Sequence, residues 1–247
     1  HPKLLEDNPN VYLSMGITAE NVAKKYNIDR TEQQDFAIAS HEKAFQAEKN
    51  GNFKDEITVI KSNKSDISKD GGIRPGTNQD ILDGLKLAFD QNGTVTAGTS
   101  SPLTDGAAAT LICEESYAKE NNLEILARIK STAVNGCNPE VMGLGPIGAS
   151  QKALIRAGLK SSDLDIVELN EAFASQSLAC VKDLELDKNS VNIDGGAIAL
   201  GHPLGATGAR ITGKAAHLLK REGKKYALAT QCIGLGQGIA TILEAVE

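Results

Sequence analysis

The chain has 247 residues, 40% hydrophobic and 23% charged with a net charge of −6, enough for one large domain or two smaller ones around a substantial core. An acidic balance without basic runs argues against nucleic-acid binding and against a membrane surface, and no apolar stretch approaches the length of a membrane span. Cys113, Cys137, Cys180 and Cys232 are widely spaced with no Cys-x-x-Cys pair, so neither a zinc site nor a disulfide framework is expected, and reduced thiols in a cytoplasmic protein are the simpler expectation. No signal peptide is visible, and the opening His1-Pro2-Lys3 is not a natural translation start, so residues upstream are expected.

In chain order, residues 17–51 read as two helices. Thr31-Glu32-Gln33-Gln34 has the spacing of a capping box, Phe36, Ala39, Ala44 and Ala47 follow roughly helical periodicity, and Gly51 suits a helix stop. Residues 56–60 read as a short strand, and 62–80 as a polar surface excursion long enough to have a role. Residues 94–97 and 107–113 read as buried strands around a loop of small residues. The order then becomes regular: strand 126–134, helix 149–157, strand 165–169, helix 171–184, strand 190–193, helix 205–222 and strands 226–231 and 239–244. Strands alternating with helices predict an α/β layer on a parallel or mixed sheet, its last two strands joined as an antiparallel hairpin.

Glycine is clustered rather than abundant. One run, Gly195-Gly196-Ala197-Ile198-Ala199-Leu200-Gly201-His202-Pro203-Leu204-Gly205, sets a histidine between glycine and proline and leads into a helix whose first amides favour negative charge. A second, Cys232-Ile233-Gly234-Leu235-Gly236-Gln237-Gly238, places a thiol at a strand end, where backbone N–H groups can face a substrate oxygen. Cys113, Cys137 and Cys180 read instead as small core hydrophobes. Asn170-Glu171-Ala172-Phe173-Ala174 follows a buried strand at the sheet edge where open α/β folds place their sites, and Asn170 there suits either a helix cap or a functional amide. Gly143-Leu144-Gly145-Pro146-Ile147-Gly148 matches G-x-G-x-x-G, but no clear strand feeds it, and the Cys232 run leads into a strand rather than a helix. Neither run predicts a dinucleotide site.

Taken together the blocks resemble the thiolase family. Met15-Gly16 with Thr18-Ala19-Glu20, Gly93-Thr94-Val95-Thr96-Ala97-Gly98 running to Asp105-Gly106-Ala107, Met142-Gly143 with Gly145-Pro146, the Asn170 block, and the His202 and Cys232 runs stand in family order over essentially the whole chain. The resemblance implies a mixed five-stranded sheet with helices on both faces, the βαβαβαββ half of a thiolase, over 126–247. It implies an inserted, CoA-covering loop domain over 1–93 and the end of the first half over 94–125. The family carries its nucleophilic cysteine in the rest of that first half, which lies outside this chain, so the chain alone is expected to be inactive.

By the same resemblance, His202 would deprotonate that nucleophile and bind a thioester oxygen, and Cys232 would act as acid and base at the substrate α-carbon. Asn170 would hold a water in one oxyanion hole with His202, and the Gly234 N–H would serve the other. Ala97, Gly98 and Ser101 would line the pantetheine channel, Met15 and Phe173 its apolar wall, and Arg74 the adenine end. The implied reaction is CoA-dependent cleavage of a 3-ketoacyl-CoA, or the reverse condensation, with acyl-CoA and CoA as partners, no metal or redox cofactor, and a homodimer or homotetramer. Short-chain acetoacetyl-CoA thiolysis is an alternative, although Ser14 and Leu235 depart from the short-chain pattern. A non-catalytic acyl-CoA carrier is disfavoured by the retention of His202 and Cys232, and a Cys–His hydrolase would carry an acyl adduct on Cys232.

Overall fold

In the computed structural model, which describes residues 1–63 and 65–246, the regular alternation after residue 125 closes into a sheet of four strands. These are β1 (Arg128–Gly136), β2 (Ile166–Leu169), β3 (Tyr226–Ile233) and β4 (Gln237–Glu244), in the order β1-β4-β3-β2. β2 runs parallel to β3, while β3–β4 and β4–β1 are antiparallel, so the sheet is mixed and the hairpin is formed as expected.

Alternation of side chains across the strands divides the core in two. On one face Val167, Leu169, Leu228 and Ile242 pack with Ala149, Ala153 and Leu154 of α6 (Gly145–Ala157) and with Cys180 and Val181 of α7 (Ala174–Asp183). On the other, Ile166, Ala227, Ala229 and Leu243 meet Ile211, Ala215, Leu218 and Leu219 of α9 (Thr207–Glu222). That spacing is one stripe of an amphipathic helix, and each large residue buried in it contributes roughly 1.5–3 kcal/mol. Gly158 and Gly223, at φ +70° and +60°, end α6 and α9 in the left-handed turn glycine accepts without strain.

The remaining helices are α1 (Pro2–Asp7), α2 (Met15–Tyr26), α3 (Arg30–Lys49), α4 (Gln79–Asp83), α5 (Glu115–Glu120) and α8 (Ala197–Leu200). The two helices expected over 17–51 are α2 and α3. The cap of α3 is Asp29, whose side chain accepts from the Glu32 amide while the Glu32 carboxylate accepts from the Asp29 amide. The capping box thus begins two residues before Thr31. The polar excursion over 62–80, of which residue 64 lies outside the described residues, is mostly irregular chain leading into α4.

Four expected strands are not strands. The fifth strand of the sheet, over 190–193, reduces to one parallel bridge between Val191 and Val167. Asn192 turns left-handed at φ +46°, and its side chain takes the ladder's place, accepting from Leu169 N at 2.9 Å and donating to Leu169 O at 2.8 Å. Over 94–97, Val95 and Thr96 are buried, but the Glu20 carboxylate accepts the amides of Thr94 and Val95, each at 2.9 Å, where a ladder would otherwise run. Over 56–60 only Ile60 pairs, bridging to Ile67. Residues 107–113 are exposed rather than buried, with no strand alongside among the described residues, and Leu111 and Ile112 face solvent. Their segment runs instead past α9, where a Cβ on Gly213 would lie 3.2 Å from the Thr110 methyl.

Candidate active site

The site gathers where β2 and β3 end side by side. The Asn170 amide donates to Thr230 O at 2.9 Å, continuing the β2–β3 ladder one residue past Leu169. Its side chain leaves the strand and places Nδ2 3.4 Å from His202 Nε2, while its buried Oδ1 has no hydrogen-bond partner among the described residues. The following helix begins at Ala174, and no side chain caps it, so Asn170 is free of the capping role its position also suited.

His202 is half-buried and held on two sides. Its backbone amide donates to Thr104 Oγ1 at 3.1 Å, and its ring Nδ1 lies 2.7 Å from Thr207 Oγ1 on the first turn of α9. Burial, reinforced by the Arg210 charge, lowers its pKa below the usual imidazole value and keeps it a neutral base near pH 7. Gly201 at φ +93° allows the approach to Thr104, since a Cβ there would lie 2.5 Å from the Thr104 methyl.

Cys232 lies two residues beyond Thr230, packed in an apolar cluster with Ala19, Val95, Met142, Ala172 and Phe173. That cluster explains the thiol's chemistry: burial pushes its pKa up to about 12, so it stays protonated and is suited to give a proton rather than attack. The turn after it, Gly234-Leu235-Gly236, closes the hairpin, and Met15 comes within 3.8 Å of where a Gly234 Cβ would sit.

Segment 170–173 therefore joins the two halves of the site, with Asn170 toward His202 and Phe173 beside Cys232. Ser101 joins from a third direction: its amide and hydroxyl both donate to Ala172 O, at 3.0 and 3.2 Å, and Ser100 bridges Phe173. Ala97 and Gly98 lie in the short turn leading to this bridge, Ala97 exposed and Gly98 against Leu82 and Leu85. Arg74 stands apart. Its side chain is exposed, its backbone amide donates to His41 Nδ1 on α3 at 3.3 Å and its carbonyl accepts from Thr77, so its hydrogen bonds among the described residues lead away from His202 and Cys232.

Four residues absent from the expected site complete it. Thr104 and Thr207 hold His202. Phe89 lies against the backbone of Gly16 and edge-on to Phe173, ring centroids 5.9 Å apart at 82°. Glu171, 2% exposed, is bound by three donors. The G-x-G-x-x-G run is filled by the protein itself: a Cβ would meet Gln176 at Gly143, the Gln237 carbonyl at Gly145 and Asn135 at Gly148. No cradle for a pyrophosphate remains there. Among the described residues no cluster of His, Cys, Asp or Glu could hold a metal, and no helix is long and apolar enough to cross a membrane.

Comparison with known proteins finds matches over nearly the whole chain. The description "Thiolase, N-terminal domain" matches residues 4–116, and "Thiolase, C-terminal domain" matches residues 123–245. A 3-ketoacyl-CoA thiolase of Vibrio parahaemolyticus is 50% identical over 253 residues, covering 99% of this chain and 65% of its own length. One from Shewanella denitrificans is 49% identical over 255 residues, covering 100% of this chain and 66% of itself. Among solved structures, a Bacillus anthracis acetyl-CoA acetyltransferase superposes with TM-score 0.91 at 43% identity, over 95% of this chain and 60% of its own. Human mitochondrial 3-ketoacyl-CoA thiolase in complex with CoA does so with TM-score 0.91 at 43% identity, over 97% of this chain and 60% of its own. The chain thus spans 60–66% of the length of these relatives.

Proposed function

We propose that this chain, which belongs to the thiolase family, carries the acid–base part of a site that cleaves 3-ketoacyl-CoA with CoA, giving acetyl-CoA and a shortened acyl-CoA, or runs the reverse condensation. The observation that carries the reading is Asn170, bonded through its backbone to the strand that carries Cys232 and facing His202 with its side chain. Relatives of both lengths of name, 3-ketoacyl-CoA thiolase and acetyl-CoA acetyltransferase, support the reaction class.

The chemistry follows from the protonation states. His202, neutral near pH 7, accepts the proton of an attacking thiol supplied from outside these 247 residues. The thiolate bonds to the 3-keto carbon and the C2–C3 bond breaks, leaving an acyl thioester and the enolate of acetyl-CoA. Cys232 gives its proton to the enolate carbon, and the thiol of a second CoA then takes the acyl group. Both steps put charge on a carbonyl oxygen, which suits Asn170 with His202 at one oxygen and the Gly234 N–H at the other. In this reading Ser101, Ala97, Gly98, Met15 and Phe173 line the substrate channel, and Arg74 meets the adenine end of CoA. Residues 1–93 form the covering loop domain, 94–125 the end of the first half and 126–247 the second. The reaction as written needs neither a metal nor a redox cofactor, and a cytoplasmic homodimer or homotetramer is the form in which we expect it.

The test is complementation. The chain is assayed alone and joined to the remaining third of the Vibrio parahaemolyticus relative, following loss of acetoacetyl-CoA in the presence of CoA. Thiolysis by the joined enzyme alone, abolished by His202→Asn, is the expected result. Turnover by the 247-residue chain alone would show that the roles are wrongly assigned.

A further inference from the structure

Glu171 sits one residue after Asn170, yet its side chain reaches away from His202 to a different junction. Its Oε2 accepts from Ser40 Oγ at 2.7 Å and from Ile198 N at 3.1 Å, and its Oε1 accepts from Asn192 Nδ2 at 2.8 Å. Ser40 Oγ in turn accepts from Gly196 N at 3.1 Å. The glycine run is pressed against the same carboxylate: a Cβ on Gly196 would lie 2.1 Å from Glu171 Cδ, and one on Gly195 would strike Ala44 and Ser40 of α3 at 2.6–2.8 Å. Three separate parts of the chain, α3, the Val191–Asn192 turn and the first residues of the histidine-bearing run, therefore converge on one buried acid.

Consecutive residues thus act on opposite ends of one object. Asn170 faces the histidine at the far end of the run, and Glu171 grips the near end directly at the Ile198 amide, four residues before His202, and through Ser40 at Gly196. We propose that Glu171 is a positioning residue, whose carboxylate sets the approach of His202 to Asn170 and makes α3 part of that setting through Ser40. The proposal rests on the reading of His202 and Asn170 as the working pair. It adds that the helix packed over the run is coupled to their separation. Three donors around a buried carboxylate resist its displacement, because each would lose its partner if it moved.

The test reads His202 directly, by nitrogen NMR of the ring across a pH titration of the full chain, assigned among His1, His41, His202 and His217 by loss of the signal in His202→Gln. Glu171→Gln keeps the shape but weakens the grip at the Ile198 amide. If the grip holds the ring in its half-buried position, loosening it exposes the ring further to water and moves the His202 midpoint upward, by about half a pH unit or more. Losing a negative charge through space moves the midpoint downward, so the sign separates positioning from simple electrostatics. Ser40→Ala, which leaves the carboxyl in place, should move it upward by less, and Lys61→Ala, on the exposed loop, not at all. A folded Glu171→Gln chain whose His202 midpoint is unchanged or lowered overturns the proposal. If that variant fails to fold, Ser40→Ala is read by the same rule. Thiolysis by the joined enzyme is scored separately. An upward midpoint in an enzyme without thiolysis would retain the positioning role and reject the reaction, and the converse would reject only the positioning.

Discussion

Thr207 Oγ1 lies 2.7 Å from His202 Nδ1 and 3.0 Å from the Pro203 carbonyl oxygen, with a single proton to share between them. A carbonyl oxygen can only accept, so giving that proton to Pro203 leaves the hydroxyl an acceptor for Nδ1–H, the arrangement that would hold the neutral ring in the tautomer whose Nε2 lone pair faces the site. Thr207 is fully buried, so water cannot stand in for the bond.

Thr207→Val keeps the volume and removes the acceptor. In the joined enzyme it should lower kcat roughly tenfold to a hundredfold while leaving KM for CoA near its original value, an effect of about 1.4–2.8 kcal/mol on the barrier. Thr207→Ser should retain most of the rate. Equal rates for the valine and serine variants would sink the tautomer argument.

The raised pKa of Cys232 makes a chemical prediction that needs no turnover. At pH 8 a thiol of pKa about 12 is almost wholly protonated, whereas Cys113 is exposed. Iodoacetamide followed by peptide mass spectrometry should label Cys113 first, with Cys232 slower by at least about a hundredfold until the chain is denatured. Labelling of Cys232 at the rate of Cys113 in the folded chain would contradict its burial.

Glu168 supplies a pH dependence. It points from β2 toward α9, 1% exposed, with Oε1 unpaired, and burial raises its pKa to about 8 despite Arg210 and Lys214 nearby. A carboxyl whose folded pKa lies above its unfolded one binds its proton more tightly in the native state. Its contribution is present below the unfolded value, near 4.5, and is lost as pH rises toward about 8. Urea unfolding should show stability falling across that window by on the order of a few kcal/mol more than in Glu168→Gln, which loses this part of the slope. Parallel pH profiles for the two proteins would rule this out.

What could be read from the sequence was local. The His202 and Cys232 runs, the Asn170 block and the β3–β4 hairpin declare themselves because spacing along the chain decides them. Ser40 and Glu171 lie 131 positions apart, and no periodicity connects them. Thr207 was hidden differently, as an ordinary residue in the first turn of a helix whose hydroxyl has meaning only once His202 has folded back over it. The strands that failed, at 94–97 and 190–193, have strand-like residues, but the side chains of Glu20 and Asn192 occupy the backbone groups a ladder would use. Residues 107–113 carry a core composition without a core to enter, and composition cannot distinguish those cases.

Gly145 and Gly238 meet backbone to backbone: a Cβ on Gly238 would lie 2.0 Å from the carbonyl carbon of Gly145, and Gly238 is the ladder partner of Cys232. Most parts of a protein interior yield to a change next door by turning a side chain into another rotamer. Here there is no rotamer to turn. Cys232 pairs with main chain that is itself wedged against the first turn of α6, so the height of its backbone above the sheet is registered much as a machine part is against a hard stop.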